Sequence, residues 1–406
     1  MRALEVWLRE EIDGAGATIG FFLRALGVLI ACFAHYTLPG YLRLLEKTVL
    51  SFHFFPFHHT PFGPMTAGLM SCTRAVFLAC GVGCALGLAT RSCLVASSAL
   101  MLYVMQLDRT LYNNHYVLVV QLCAWLACIT NDRVLLWPRR GVDASAPRWQ
   151  LLGVQLLIVT PYTYGALAKC NPDWLLRAEP VRSWAPDMLQ SADDALGGRV
   201  LWMIDRFLPP DADIVPPFAA LVSACGLIFD LLVGPALLLG PAEHVTRARG
   251  VAVGAALLFH CCNKVWFGLG IFPWLMSVAL VLFFPPGLPG LLLQRCCAAL
   301  AAPAGGKPTS IPAKSGVTGD EAQSQKRSVG EPASRGSSRR ICLPLLAVGA
   351  LHALLPLRHL VLYPSSVRWT DEGALYAWHM KLVERSGWLA LIVTDEGRTE
   401  IGRAHV

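Results

Sequence analysis

Charge is scarce in this 406-residue sequence: 34 Lys and Arg with 27 Asp and Glu make up 15% of it, where ordinary soluble domains carry about 25%. Hydrophobic residues reach 55%, and mean hydropathy is +0.50. A chain so poor in charge cannot cover two or three soluble domains with polar surface. That excludes an aqueous enzyme and a disordered protein, and leaves an integral membrane protein. The common short signatures are missing too. No GxGxxG follows a strand, and there is no P-loop, GxSxG or HExxH, so dinucleotide, triphosphate, α/β-hydrolase and zincin chemistries have no footing. Fourteen cysteines are present, but they form no CxxC pair and no zinc-like spacing with histidine. Most, such as Cys80, Cys84 and Cys123, lie in apolar runs, where cysteine behaves as a small hydrophobe. The net charge of +7 is modest, and no basic patch interleaves with aromatics, so no nucleic-acid partner is indicated.

What is present is a succession of apolar runs. A spanning helix takes about 20 apolar residues, and runs of that kind fall near 18–38, 66–90, 92–107, 114–131, 149–168, 216–240, 249–267, 270–290 and 341–357. The expected fold is an all-α membrane protein, a polytopic bundle of about 8–9 transmembrane helices with a short C-terminal lumenal β-containing tail. Met1 to Gly14 mixes charges ahead of the first run without a small-residue cleavage site, which suits an uncleaved anchor. Arg133, Arg139, Arg140 and Arg148, then Arg247 and Arg249, then the basic stretch from Arg295 to Arg340, share one face if the N-terminus is cytoplasmic. Residues 303–340, rich in Pro, Gly, Ser and charge, bury too little apolar surface to offset their entropy and suit a disordered cytoplasmic linker. The expected division is therefore 1–302 transmembrane, 303–340 linker, and 341–406 a last span followed by the start of a truncated lumenal β domain. From Trp388 to Thr394 the tail alternates apolar and polar residues before a turn at Asp395-Glu-Gly, a hairpin signature.

Four polar groups interrupt the ends of these runs, where ionisable residues are costly and default to functional candidates. They are Asp108-Arg-Thr-Leu-Tyr-Asn-Asn-His115, Lys169 with Cys170-Asn-Pro-Asp-Trp174, His260-Cys-Cys-Asn263-Lys264, and Trp378-His-Met-Lys381. In the orientation above all four face the non-cytoplasmic side. Each also has a plain structural reading. Asn113, Asn114 and His115 suit a helix cap, Lys169 can snorkel to the headgroups, Asp108 and Arg109 can pair in water, and His260 can bond a neighbouring carbonyl. Their convergence on one face suggests an acid/base site for an apolar substrate. Burial lowers a lysine pKa because the charged form loses hydration, and a neutral amine is a competent base. A nearby histidine or asparagine can stabilise a developing anion. The segment Phe52-His53-Phe-Phe-Pro-Phe-His58-His59 fits an interfacial loop better than a metal site. Arg24 and Arg74 either pair inside the bundle or orient an anionic ligand.

At these residues the sequence resembles the vitamin K-dependent γ-glutamyl carboxylase family, whose membrane portion is the HTTM domain. Leu86-Gly-Leu, Arg91-Ser-Cys-Leu and Asp108 to His115 resemble the family's LG, RxSC and DKTSWNNH block. Lys169-Cys-Asn-Pro-Asp-Trp174 resembles its KLDADW segment, and Phe259-His-Cys-Cys-Asn263 with Gly270-Ile-Phe272 its FHCMN and GMF blocks. The resemblance implies a reaction. Reduced vitamin K is deprotonated and oxygenated, the base so formed takes a proton from the γ-carbon of a peptidyl glutamate, and the carbanion takes up CO₂ while vitamin K leaves as its epoxide. It implies Lys169 as the starting base, with His115 and Asn114 stabilising the developing charge. His260, Asn263, Phe272, Tyr112 (in place of the family's tryptophan) and Met380 would line the quinone pocket. The implied cofactor is vitamin K hydroquinone with O₂ and CO₂ and no metal. The implied partners are a glutamate-containing peptide and the lipid bilayer, in the endoplasmic reticulum with the site facing the lumen. The chain departs from the family's animal enzymes in stopping near the start of their large lumenal domain and in having Lys381 where they have a second methionine. A protein that kept the fold and the quinone site but lost peptide carboxylation is the alternative expectation.

Overall fold

The structure is a computed structural model of the chain, and it describes residues 2–47, 66–107, 111–130, 145–207, 209, 212–239, 247–286, 288, 349–363, 373, 375–379, 382, 388–395 and 398–405. Asp108, Arg109, the His53 to His59 segment, the linker at 303–340, Met380 and Lys381 lie outside the described residues.

The described chain is mostly helical. Its elements run α1 (Arg2–Arg9), β1 (Glu11–Ile12), α2 (Ala15–Cys32), a wider π turn at Phe33–Thr37, α3 (Leu38–Lys47), α4 (Ala67–Leu86), α5 (Thr90–Leu107), α6 (Asn114–Ile129), β2 (Ala146–Pro147), α7 (Arg148–Lys169), α8 (Pro172–Leu176), α9 (Val181–Ala195), α10 (Arg199–Phe207), α11 (Val215–Leu238), α12 (Arg247–Phe267), α13 (Phe272–Ala279), α14 (Gly349–Leu362), β3 (Trp388–Asp395) and β4 (Arg398–His405). Five helical stretches among the described residues are long and apolar enough to cross a membrane: Ala15–Arg43, Gly68–Leu86, Arg148–Lys169, Val215–Leu238 and Arg247–Phe267. Such runs become helices because lipid offers the backbone no hydrogen-bond partners, and a helix satisfies its own. Three of the other expected spans, at α6, α13 and α14, are shorter apolar helices. α5 is diluted by Arg91 and three serines. Three short helices fill 172–207, where no apolar run gave an expectation of structure.

Small residues set the closest helix packing. Gly27 and Ala31 on α2 face Gly81 and Ala85 on α4. A methyl group on Gly27 would come within 2.5 Å of the Ala85 backbone nitrogen, and one on Gly81 equally close to that of Ala31. This small-residue stripe is the usual way membrane helices gain van der Waals contact where apolar burial gives no advantage over lipid. Phe22, Leu26 and Ile30 of α2, Phe77 of α4 and Leu118, Leu122 and Leu126 of α6 form the fully buried centre. A second, smaller core lies where α8 and α9 cover α11, built on Trp174, Val181, Ala185, Met188 and Ala219. At the end of the chain β3 and β4 pair antiparallel, with Trp388 opposite His405 and Asp395 opposite Arg398. The alternation in the sequence does form a hairpin.

Candidate functional site

The site forms where α7, α11, α12 and α13 meet the short helices. α7 ends at Lys169, and the residues after it are organised to hold that end in place. Asn171 caps α8, its side-chain oxygen accepting the Trp174 amide at 3.0 Å while its side-chain nitrogen donates to the Ala168 carbonyl at 2.9 Å. Pro172 follows at the first position of α8, where its missing N–H has no cost. The cap swings Trp174 back against α11, where its indole N–H donates to the Ser223 carbonyl at 3.0 Å. The Trp174 ring then lies 5.2 Å from the Lys169 ammonium, within range of a cation–π contact.

Lys169 is not alone. Its ammonium donates to Asp230 Oδ2 of α11 in an ion pair. The two side chains are 13% and 5% exposed, so little water competes with the contact. Gly165, one turn before Lys169, makes room for it: a methyl group there would sit 3.0 Å from Asp230 Oδ2 and 4.0 Å from Nζ. The expected base at Lys169 thus has a partner that the sequence reading did not include, a carboxylate brought to it by α11. Asp230 went unremarked because it stands mid-run rather than at a span end. A single acid inside an apolar stretch such as 215–239 is itself a functional signal in a membrane segment.

Both groups open onto a cavity of about 460 Å³. Its walls are mostly aromatic and aliphatic, with Tyr162, Trp174, Phe229, Phe259, Trp266 and Phe272 among them, and Lys169, Asp230 and Asn263 as polar groups. That volume and composition are typical of a small-molecule site (about 300–1,000 Å³, apolar with a few placed polar groups). Phe272 reaches the wall because Gly268 and Gly270 take left-handed backbone, φ 56° and 55°, and turn the chain sharply into α13.

His115 and His260 do not line this cavity. Each packs on Phe272 from behind: His115 stacks at 4.1 Å between centroids and 15° between planes, and His260 meets it edge-on at 5.8 Å. His260 also shares a 2.7 Å hydrogen bond through Nε2 with the Tyr162 hydroxyl. The helix period explains this. Ala255, Phe259, Cys262 and Trp266 of α12 face the cavity, and His260 follows Phe259 by about 100° of rotation, toward α7.

Tyr112 and Asn114 belong to a neighbouring latch. Asn113 is the cap of α6, its side chain accepting the His115 amide at 2.9 Å. Tyr112 donates to Asn114 Oδ1 and accepts the Tyr376 amide, both at 2.6 Å. Burial pushes the Tyr112 phenol well above its ordinary value, so it stays protonated and keeps donating. Arg358 holds the same strand of chain by donating through Nε and Nη2 to the Leu375 carbonyl at 3.0 and 2.6 Å. The latch places Trp378 in the cavity wall. Tyr376 and Trp378 both take φ 57°, a conformation bulky residues adopt only where surroundings enforce it, at about 1–3 kcal/mol each. The four polar runs thus meet around one point: His115, Lys169, Asn263 and Trp378 either line the cavity or touch Phe272. Within the last run, His379 turns aside to His359, 4.8 Å away.

Two family comparisons match. Residues 12–287 match the HTTM domain, and residues 339–405 match the vitamin K-dependent gamma-carboxylase lumenal domain. No solved structure matches the chain.

Proposed function

The chain belongs to the vitamin K-dependent gamma-carboxylase family, and from that premise we propose that it is a peptidyl-glutamate γ-carboxylase coupled to epoxidation of vitamin K hydroquinone. The observation that carries the proposal is the aromatic cavity of about 460 Å³ with Lys169 in its wall. Its apolar surface suits a bicyclic aromatic with an isoprenoid tail, and its few polar groups suit the ring oxygens, so the residues present fit the group. When bound, the reduced quinone supplies, with O₂, the strong base that glutamate carboxylation needs.

The chain's residues have separable tasks in this reading. Lys169 accepts a proton at Nζ. Phe272, Asn263 and Trp378 orient the ring, and the face of Trp174 holds the Lys169 nitrogen through a cation–π contact. His115, with Asn114 beside it, supports Phe272 and stabilises developing charge from behind it. His260 fixes Tyr162 in the wall. Tyr112 keeps the 375–379 segment closed over the cavity, which excludes water from a carbanion awaiting CO₂. Met380 keeps the quinone-contacting role that the family resemblance implies. We place 8–9 spans around this site, 1–302 as the membrane domain, 303–340 as a cytoplasmic linker and 341–406 as the return to the lumen of the endoplasmic reticulum.

Membranes containing the protein, supplied with reduced vitamin K and labelled bicarbonate, should label a glutamate-containing peptide, and Lys169→Ala should abolish the signal. Absence of labelling at good expression rejects peptide carboxylation. One observation favours a second reading, a quinone- or lipid-binding protein without turnover: the Lys169 amine is already engaged by Asp230. Hydroquinone binding without epoxide would select it.

A further inference from the structure

Paired as an ammonium with a carboxylate, Lys169 has no free lone pair and accepts a proton only as it passes one on. Whatever capacity the pair has to take one lies in the carboxylate. Asp230 Oδ2 is the atom the ammonium touches, it is nearly shut off from solvent, and it opens on the same cavity as Lys169. Gly165 leaves the space that lets the two approach so closely. Among the described residues, no other acid lines the cavity.

Resting on the functional reading above, we infer that Asp230 is the terminal proton acceptor of this site, acting through Lys169. Lys169 Nζ takes a proton from a hydroxyl of the bound hydroquinone as it passes one of its own to Asp230 Oδ2. In that step the ligand O–H bond breaks and leaves its electron pair on oxygen. One N–H bond forms as another breaks, and a new O–H bond forms on Asp230. The pair goes from ammonium-carboxylate to ammonium-carboxylic acid, and no oxidant or reductant is required. The arrangement accounts for a feature that a lone basic lysine leaves unexplained, a carboxylate brought into an apolar span at the desolvation cost such groups carry.

The test uses the full chain in lipid nanodiscs with aspartate labelled at the carboxyl carbon. Infrared difference spectra are recorded under argon, comparing the complex with vitamin K hydroquinone against that with the oxidised quinone, which has no proton to give. The expected result is a gained carboxylic-acid carbonyl band with matching loss of a carboxylate band, both absent in Asp230→Asn. In aerobic turnover Asp230→Asn should lose at least about tenfold in maximal epoxide formation, the scale of a lost acid–base group, with the half-saturating hydroquinone concentration moved less than about threefold. Asp230→Glu should recover part of the rate. A silent carboxyl region in a complex that binds and turns over, or full turnover by Asp230→Asn, overturns the relay and leaves the functional reading standing. A slow Asp230→Asn with a silent carboxyl region reduces Asp230 to holding Lys169 and also overturns it. Failure of the unaltered chain to bind hydroquinone overturns both. If Asp230→Asn does not accumulate, the spectrum of the unaltered chain decides.

Discussion

His115 lies flat on Phe272, centroids 4.1 Å apart and planes within 15°, and it is Phe272 rather than His115 that meets the cavity. The phenyl ring therefore stands between the imidazole and the cavity, and the proposed action of His115 on a ligand has to pass through that ring or follow its movement. Replacing Phe272 separates these. In Phe272→Leu the stack is lost, removing about 0.5–1.5 kcal/mol beyond the area term, and the imidazole gains access to the cavity. We expect naphthoquinone binding, followed by quenching of cavity tryptophan fluorescence, to weaken severalfold while the protein still accumulates. Unchanged binding would show that the ring is not a ligand contact.

Gly165 sets the width of the site beside the ion pair. In Gly165→Ala the new methyl lies 3.0 Å from Asp230 Oδ2, closer than nearly all ordinary contacts, so the carboxylate has to shift by a few tenths of an ångström. Overpacking of this kind typically costs about 1–3 kcal/mol. The expected outcome is a modest fall in thermal stability together with weaker hydroquinone binding. Gly165→Leu, which extends into the cavity, should block binding outright. Normal affinity in Gly165→Leu would mean that the ligand sits elsewhere.

The latch at Tyr112 gives a third expectation. Tyr112→Phe removes the acceptor of the Tyr376 amide, and a buried polar group that loses its partner costs about 1–3 kcal/mol. With Tyr376 and Trp378 already in strained backbone, the 375–379 segment should release first. Limited proteolysis of Tyr112→Phe should cut near these residues while the helices resist, and equal protection would show that Arg358 alone holds the segment.

Much of this site is legible in the sequence, and the omissions share a cause. Lys169, Trp174 and Asn263 stand out because polar groups at span ends break an otherwise apolar pattern, and Phe272 through the family resemblance alone. Asp230 sits in the middle of a run that is apolar on average, and averaging hides it. The placing of His115 and His260 behind Phe272 depends on the rotation of α6 and α12 about their axes, which a helix apolar on every side does not encode. The 375–379 segment owes its position to Arg358 and Tyr112, and its positive φ values follow from tertiary contacts with no glycine to announce them. The close approach of α2 and α4 was written in the four-residue spacing of Gly27, Ala31, Gly81 and Ala85, a pattern easily lost among 35 glycines.

The ion pair also makes a statement about stability that is independent of catalysis. Asp230 is 5% exposed and Lys169 13%, so removing either partner leaves the other's charge in apolar surroundings. Breaking a buried pair on one side typically costs about 3–5 kcal/mol, whereas replacing both partners with apolar residues of similar volume is often neutral or stabilising. Lys169→Met alone should therefore lower the thermal unfolding temperature in nanodiscs markedly, and Asp230→Leu alone should do the same. The double variant Lys169→Met/Asp230→Leu should regain most of the loss while forming no epoxide. The regained stability is what identifies the pair as retained for chemistry: a contact kept for folding would be missed in the double variant, and one kept for its reactivity would not. Additive losses in the double variant would mean that the two residues act separately, and the ion pair would then have no part in the site.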